Sequence, residues 1–180
     1  MTLKKSWFKW FFLALLFSLI AIFQAAFISP LPLAVSALSL PLVALIFCLL
    51  FMPPSAFLPL AIIMGFWLDV LNFEFFGLHL ISLSLTVFFL YLLLTNVVTN
   101  RSLYSFLLLA LSGPIFYNFL LYTFLLVVPG GLAPGFFLGN VSFWRYLGIQ
   151  IIWSVGLMLL LFNLVSGLSK KLQPVFLEKK

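Results

Sequence analysis

The stretch WFKWFFLALLFSLIAIFQAAFI, Trp7 to Ile28, carries one charge, Lys9, in 22 residues. At about 1.5 Å per residue a helix of that length reaches roughly 33 Å, enough to cross the hydrocarbon layer of a bilayer. Lys4 and Lys5 ahead of it give the start the look of a signal peptide, but the apolar run is too long and no convincing A-x-A site follows. It reads as a first transmembrane helix. The rest of the chain is of the same kind: 66% of its 180 residues are hydrophobic, 7% are charged, and the mean hydropathy is +1.33. An average soluble domain is about 45–50% apolar and about 25% charged, so a water-soluble globule is excluded. The solvent is lipid. Six spans of about 20 residues would take up roughly 120 residues and leave about 60 for tails and turns. No room remains for a soluble catalytic module.

Breaker residues mark the other spans. The first ends at Ser29-Pro30-Leu31-Pro32. A second is expected over Leu33–Met52 with a kink at Pro41, and a third over Ser55–Leu71 after the Pro53-Pro54 turn. The third reaches roughly 26 Å, just enough to cross. A fourth is expected over Leu78–Val98, a fifth over Leu103–Val128 and a sixth over Trp144–Leu168. Between the last two, Pro129–Phe143 holds four of the ten glycines and two of the ten prolines and reads as the one long loop. Residues 169–180 form a basic tail.

The expected architecture is therefore an all-α integral membrane protein, one six-helix transmembrane bundle over residues 1–180. With the amino terminus inside, both lysine clusters and Arg101 fall on the cytoplasmic side, eight of the nine basic residues, and only Arg145 falls outside. Five spans would put Lys170 and Lys171 outside; four spans, with the Pro53 region re-entrant, keep the same balance. The net charge of +6 thus resolves into anchors at the two ends that meet lipid headgroups, leaving no surface for nucleic acid. Cys48 is the single cysteine and forms no internal disulfide.

Three ionisable residues cluster: Asp69, Glu74 and His79. A carboxylate in a membrane span is costly and by default suggests function. Asp69 lies roughly 22 Å along the helix from Pro54, near the outer headgroup zone. Three roles are open to it there: hydration, capping by loop amides, or pairing with Arg145. Gly65, one turn earlier on the same face, lets a neighbouring helix approach closely. The two carboxylates and the imidazole form a set that can bind metal, but Asn72 and Gly77 interrupt any shared helical face, so no metal site is expected. No Ser/His/Asp arrangement, Cys/His pair or phosphate-cradling loop accompanies them, and no enzyme and no cofactor is expected. Ala14, Ser18, Ala21 and Ala25 form a small-residue stripe, read as a packing seam or as a docking face for another membrane protein. Tyr117, Asn118, Tyr122, Gln150 and Asn163 are polar groups in spans five and six that are expected to point inward and find partners.

The stretch Gly65-Phe66-Trp67-Leu68-Asp69-Val70-Leu71-Asn72-Phe73-Glu74-Phe75-Phe76-Gly77-Leu78-His79 resembles the rod shape-determining MreD family of bacteria. That family shows a Gly, an Asp four residues on, a short loop, and Gly-Leu/Val-His/Arg opening the next helix. Gly65, Asp69, Gly77, Leu78 and His79 stand at those positions. Pro32 ahead of span two, Asn100-Arg101 closing span four, Tyr117-Asn118 and the basic carboxyl tail fit the layout as well. The chain departs from the family at Met52-Pro53-Pro54-Ser55, where basic residues are common, and in span five, where Asn118 stands near an acidic position of some members. The resemblance implies a non-enzymatic subunit of the cell-elongation (rod) complex in the bacterial inner membrane, with both termini cytoplasmic. It would contribute to cell shape and side-wall peptidoglycan synthesis. Implied partners are an MreC-like protein, the MreB-like cytoskeleton, and the glycosyltransferase and transpeptidase of elongation.

A second reading belongs to another class. The six-helix fold of MreD proteins is thought to resemble the S components of energy-coupling-factor vitamin transporters, and Ala21-x-x-x-Ala25 looks like the face on which such subunits dock their coupling protein. Against it, the outward-facing half offers few polar side chains to read a vitamin. A third reading is a lipid-handling protein with a cavity near Asn118 and Gln150.

Overall fold

Apolar residues run so densely through the chain that helix ends are set by proline, glycine and polar punctuation more than by amphipathic periodicity. The computed structural model describes residues 3–52, 54–72, 75–96, 103–127 and 141–176, and every regular element among them is helical. In chain order these are α1 (Leu3–Phe23), a π-helical turn (Gln24–Ile28), α2 (Leu33–Ser36), α3 (Leu40–Phe51), α4 (Pro54–Asn72), α5 (Leu78–Asn96), α6 (Leu103–Val127) and α7 (Val141–Phe176). Five stretches are long and apolar enough to cross a membrane: Trp10–Ile28, Leu33–Phe51, Leu78–Asn96, Tyr104–Val127 and Val141–Leu164. Ala56–Asn72 of α4 is a shorter apolar helix. The chain is thus a multi-pass α-helical membrane protein.

The core surrounds α3. Eight of its twelve residues are buried, and Leu42, Leu45, Ile46 and Leu50 are sealed almost completely. Around it pack Phe17 and Ala21 from α1, Phe57, Leu60 and Met64 from α4, Leu83, Val87 and Leu90 from α5, Leu109 from α6 and Met158 from α7. A helix that is apolar on every side belongs at such a centre. The outer surface carries Phe11, Phe12, Leu19, Phe27, Val127 and Ile152 in the open, an exposure suited to acyl chains and not to water.

One expectation about the helices needs correction. The second span is not one helix kinked at Pro41: it breaks between Ser36 and Leu40, and Pro41 lies in the first turn of α3, where its missing N–H is no loss. A break inside an apolar bundle frees backbone groups that lipid cannot satisfy. Gln24, buried in the π turn, repairs it: its Nε2 donates to the Leu38 carbonyl at 2.7 Å, and its Oε1 accepts the Leu40 N–H at 3.1 Å. Trp153 on α7 donates its indole N–H to the Ala34 carbonyl of α2 at 2.7 Å. At the carboxyl end, helix α7 continues to Phe176, into the expected basic tail.

Candidate functional site

The corner where α4 gives way to α5 is built by backbone demands. Gly77 has φ +98°, a left-handed conformation in which a side chain is strained. Its carbonyl accepts the Ile81 N–H at 2.9 Å, so Gly77 is the residue that opens α5. An opening residue usually uses its own side-chain oxygen to satisfy the second and third helical N–H groups. Glycine has none. Asp69, eight residues back on α4, supplies the oxygens: Oδ1 accepts the His79 N–H at 2.7 Å, and Oδ2 accepts the Gly77 and Leu80 N–H groups at 3.0 and 3.1 Å. The Leu78 N–H goes to the Phe75 carbonyl at 3.2 Å, so the N–H groups of the first turn of α5 are all partnered. The carboxylate is buried at the amino-terminal, positive end of the α5 dipole.

Gly65 makes this reach feasible. A Cβ added there would lie 2.4 Å from the Leu80 Cα and 2.9 Å from its nitrogen, so α4 and α5 touch backbone to backbone one turn before Asp69. Of the three roles open to Asp69, the carboxylate takes amide capping, with the amides supplied by the opening turn of α5; Arg145, the candidate ion-pair partner, is exposed on α7. Glu74 lies outside the described residues. We expect Gly77→Ala to lower stability by about 1–2 kcal/mol, the usual penalty for a side chain in the left-handed region. The check is an unfolding titration in detergent, and an unchanged midpoint would contradict the strained-turn account.

From the capped end of α5 a chain of polar contacts leads inward. The His79 ring stands between two partners, the Asn72 amide nitrogen 3.2 Å from Nε2 and the Tyr117 hydroxyl 2.8 Å from Nδ1. If the Asn72 amide donates to Nε2, then Nδ1–H donates to the Tyr117 oxygen. One residue further along α6, Asn118 donates to the Pro114 carbonyl at 2.7 Å and to the Gln150 side-chain oxygen of α7. Tyr117, Asn118 and Gln150 are all buried, as polar groups with partners in a lipid-embedded bundle should be. The remaining expected inward groups behave differently: Tyr122 is half-buried with its ring edge-on to Phe143, and Asn163 is exposed.

These contacts wall a cavity of about 310 Å³ where α1 and α4 end and α3, α5 and α7 begin. Gln24, Ser29, Ser36 and Ser39 line one side, Asn72, His79 and Tyr117 another, and Tyr146 and Gln150 close it from α7; Leu38, Pro41 and Leu68 fill in between. This end is therefore far richer in hydrogen-bonding side chains than the sequence suggested. Of the wall, His79, Tyr117 and Gln150 stand out in the sequence, and Asn72 only as an interruption of the helical face between Asp69 and His79. Gln24 went unnoticed, although a lone amide inside an apolar span is a signal in itself. The serines and Tyr146 sit near span ends, where polar residues are ordinary, and carry no such signal. Ala14, Ser18 and Ala25 are half-buried and Ala21 is fully buried, so the small-residue stripe lies on the inner side of α1. No protein-family model, no curated protein and no solved structure matches this chain.

Proposed function

We propose that the chain is a non-enzymatic membrane subunit of the bacterial cell-elongation machinery, of the MreD type. The observation that carries this reading is the convergence of Gly65, Asp69, Gly77 and His79, the residues of the family-like motif, on one corner. The motif's spacing then has a physical reason: close approach, cap, turn, and a ring turned into the bundle. On this reading α4 crosses the membrane with the other five spans, both termini face the cytoplasm of a bacterial inner membrane, and the bundle works through contacts. Its partners are an MreC-like protein, the MreB-like cytoskeleton and the elongation glycosyltransferase and transpeptidase. The segments joining α4 to α5 and α6 to α7, which contain Glu74 and precede Arg145, face the periplasmic side.

The vitamin-transporter reading gains support from the polar cavity and loses it at α1, whose small-residue stripe is turned into the bundle instead of outward to a coupling protein. Depletion in a rod-shaped host separates the two. The expected result is rounded cells, with an MreC-like protein recovered when the tagged chain is purified in mild detergent. Cells that keep their rod shape, with no MreC-like protein in the eluate, would overturn the proposal.

A further inference from the structure

Among the described residues, no Asp, Glu, Lys or Arg lines the cavity. Asp69 is adjacent in sequence to its wall at Leu68, but both carboxylate oxygens are directed at the amides of α5. Part of the wall is also occupied with its own bonding. The Gln24 amide is fixed to Leu38 and Leu40, and Asn72, His79 and Tyr117 hold one another. Other groups keep capacity to spare. Gln150 uses its oxygen for Asn118, while its Nε2 and the hydroxyls of Ser36 and Ser39 make no hydrogen bond among the described residues.

Spare polar capacity extends along the same helix faces. Ser82 and Ser154 lie one turn beyond His79 and Gln150, and both hydroxyls are buried with no partner among the described residues, although neither lines the cavity. In a bundle surrounded by lipid, the unpartnered groups that do line it, on Gln150, Ser36 and Ser39, are destabilising unless something polar occupies the space. The space is large enough for more than water, since small-molecule sites begin at about 300 Å³. An ion there would meet no counter-charge among the described residues, and burying it unpaired is unfavourable. The occupant that fits is uncharged, presents both donors and acceptors, and has a face to lay against Leu38, Pro41 and Leu68.

We propose that this cavity binds a small uncharged ring compound bearing hydroxyl or amide groups, held by the free amide of Gln150 and the hydroxyls of Ser36 and Ser39. The ring can arrive as a free solute or as the headgroup of a lipid. The proposal goes beyond the cell-elongation reading and does not depend on it.

The test uses the full chain in phosphatidylcholine nanodiscs, with thermal unfolding followed by fluorescence. D-glucose, nicotinamide and thymidine are the neutral probes, each run beside a charged counterpart: glucose 6-phosphate, nicotinate and thymidine 5′-monophosphate. Glucosyl diacylglycerol mixed into the disc represents the headgroup. At about ten times its Kd, a binding probe is expected to raise Tm by about 3 °C. Ser39→Phe, which fills the cavity, and Gln150→Leu, which removes the spare amide, should each abolish the shift. A shift from a dissolved neutral probe supports a free solute, and one seen only with the glycolipid supports a headgroup. No shift from any neutral probe, equal shifts from the charged counterparts, or a shift that survives in whichever variant still unfolds cooperatively would each overturn the proposal.

Discussion

Replacing Asp69 with alanine is expected to destabilise the bundle by about 3–5 kcal/mol. The variant strands three N–H groups, those of Gly77, His79 and Leu80, and an unsatisfied buried group costs about 1–3 kcal/mol. Against that stands the relief from no longer desolvating a carboxylate, which keeps the total below the simple sum. Asp69→Asn retains one acceptor oxygen but turns its NH₂ toward donors, so its loss should fall at roughly half that of alanine. Unfolding by sodium dodecyl sulfate in mixed micelles gives the two values. A loss under about 0.5 kcal/mol for Asp69→Ala would mean that water replaces the carboxylate, and the capping account would then fail.

Gly65→Ala should also destabilise the bundle, for the opposite reason, excess matter instead of a missing bond. The new Cβ would sit 2.4 Å from the Leu80 Cα, and backbone cannot step aside as a flexible side chain does. The helices must separate, and overpacking of this kind costs about 1–3 kcal/mol, occasionally more. Separation also draws Leu80 away from Asp69, so the two substitutions touch one interaction. Their effects should combine to less than the sum in a double-mutant cycle, with a coupling of about 1 kcal/mol or more. Gly156→Ala is the control: no atom lies within 4 Å of its added Cβ, and a mid-helix alanine should leave stability unchanged or slightly raised. Full additivity of Gly65→Ala with Asp69→Ala would show that close approach and capping are separate matters.

The parts of this molecule that were legible in the sequence are those decided locally. Leu78 and Leu103 are the first helical residues of α5 and α6, and the glycine and polar punctuation before each is visible in the sequence. The α2–α3 break was illegible because proline serves equally as a kink inside a helix and as a first-turn residue. What separates the two here is Gln24, 14 and 16 residues away, waiting for the freed backbone. Within the site, Asp69 and His79 could be grouped from spacing and Gly77 joins them through the family resemblance, but the direction of the cap was not legible: the carboxylate serves the helix that follows, not the one it ends. The pairings of His79 with Tyr117 and of Asn118 with Gln150 join residues 38 and 32 apart, and only the packing of α5, α6 and α7 decides them.

Those separations also set an order of assembly. The Asp69 cap closes loops of only eight to eleven residues, so its entropic barrier is low and the α4–α5 corner can form as soon as Leu80 is made. The link from Tyr117 must wait for α6. The indole of Trp153 reaches back 119 residues to α2 and arrives with α7, which also brings Tyr146 and Gln150. A nascent chain halted before α7 would thus hold a finished corner beside an open groove. The cavity closes only once Gln150 is made, so any molecule bound there would report that synthesis has reached α7.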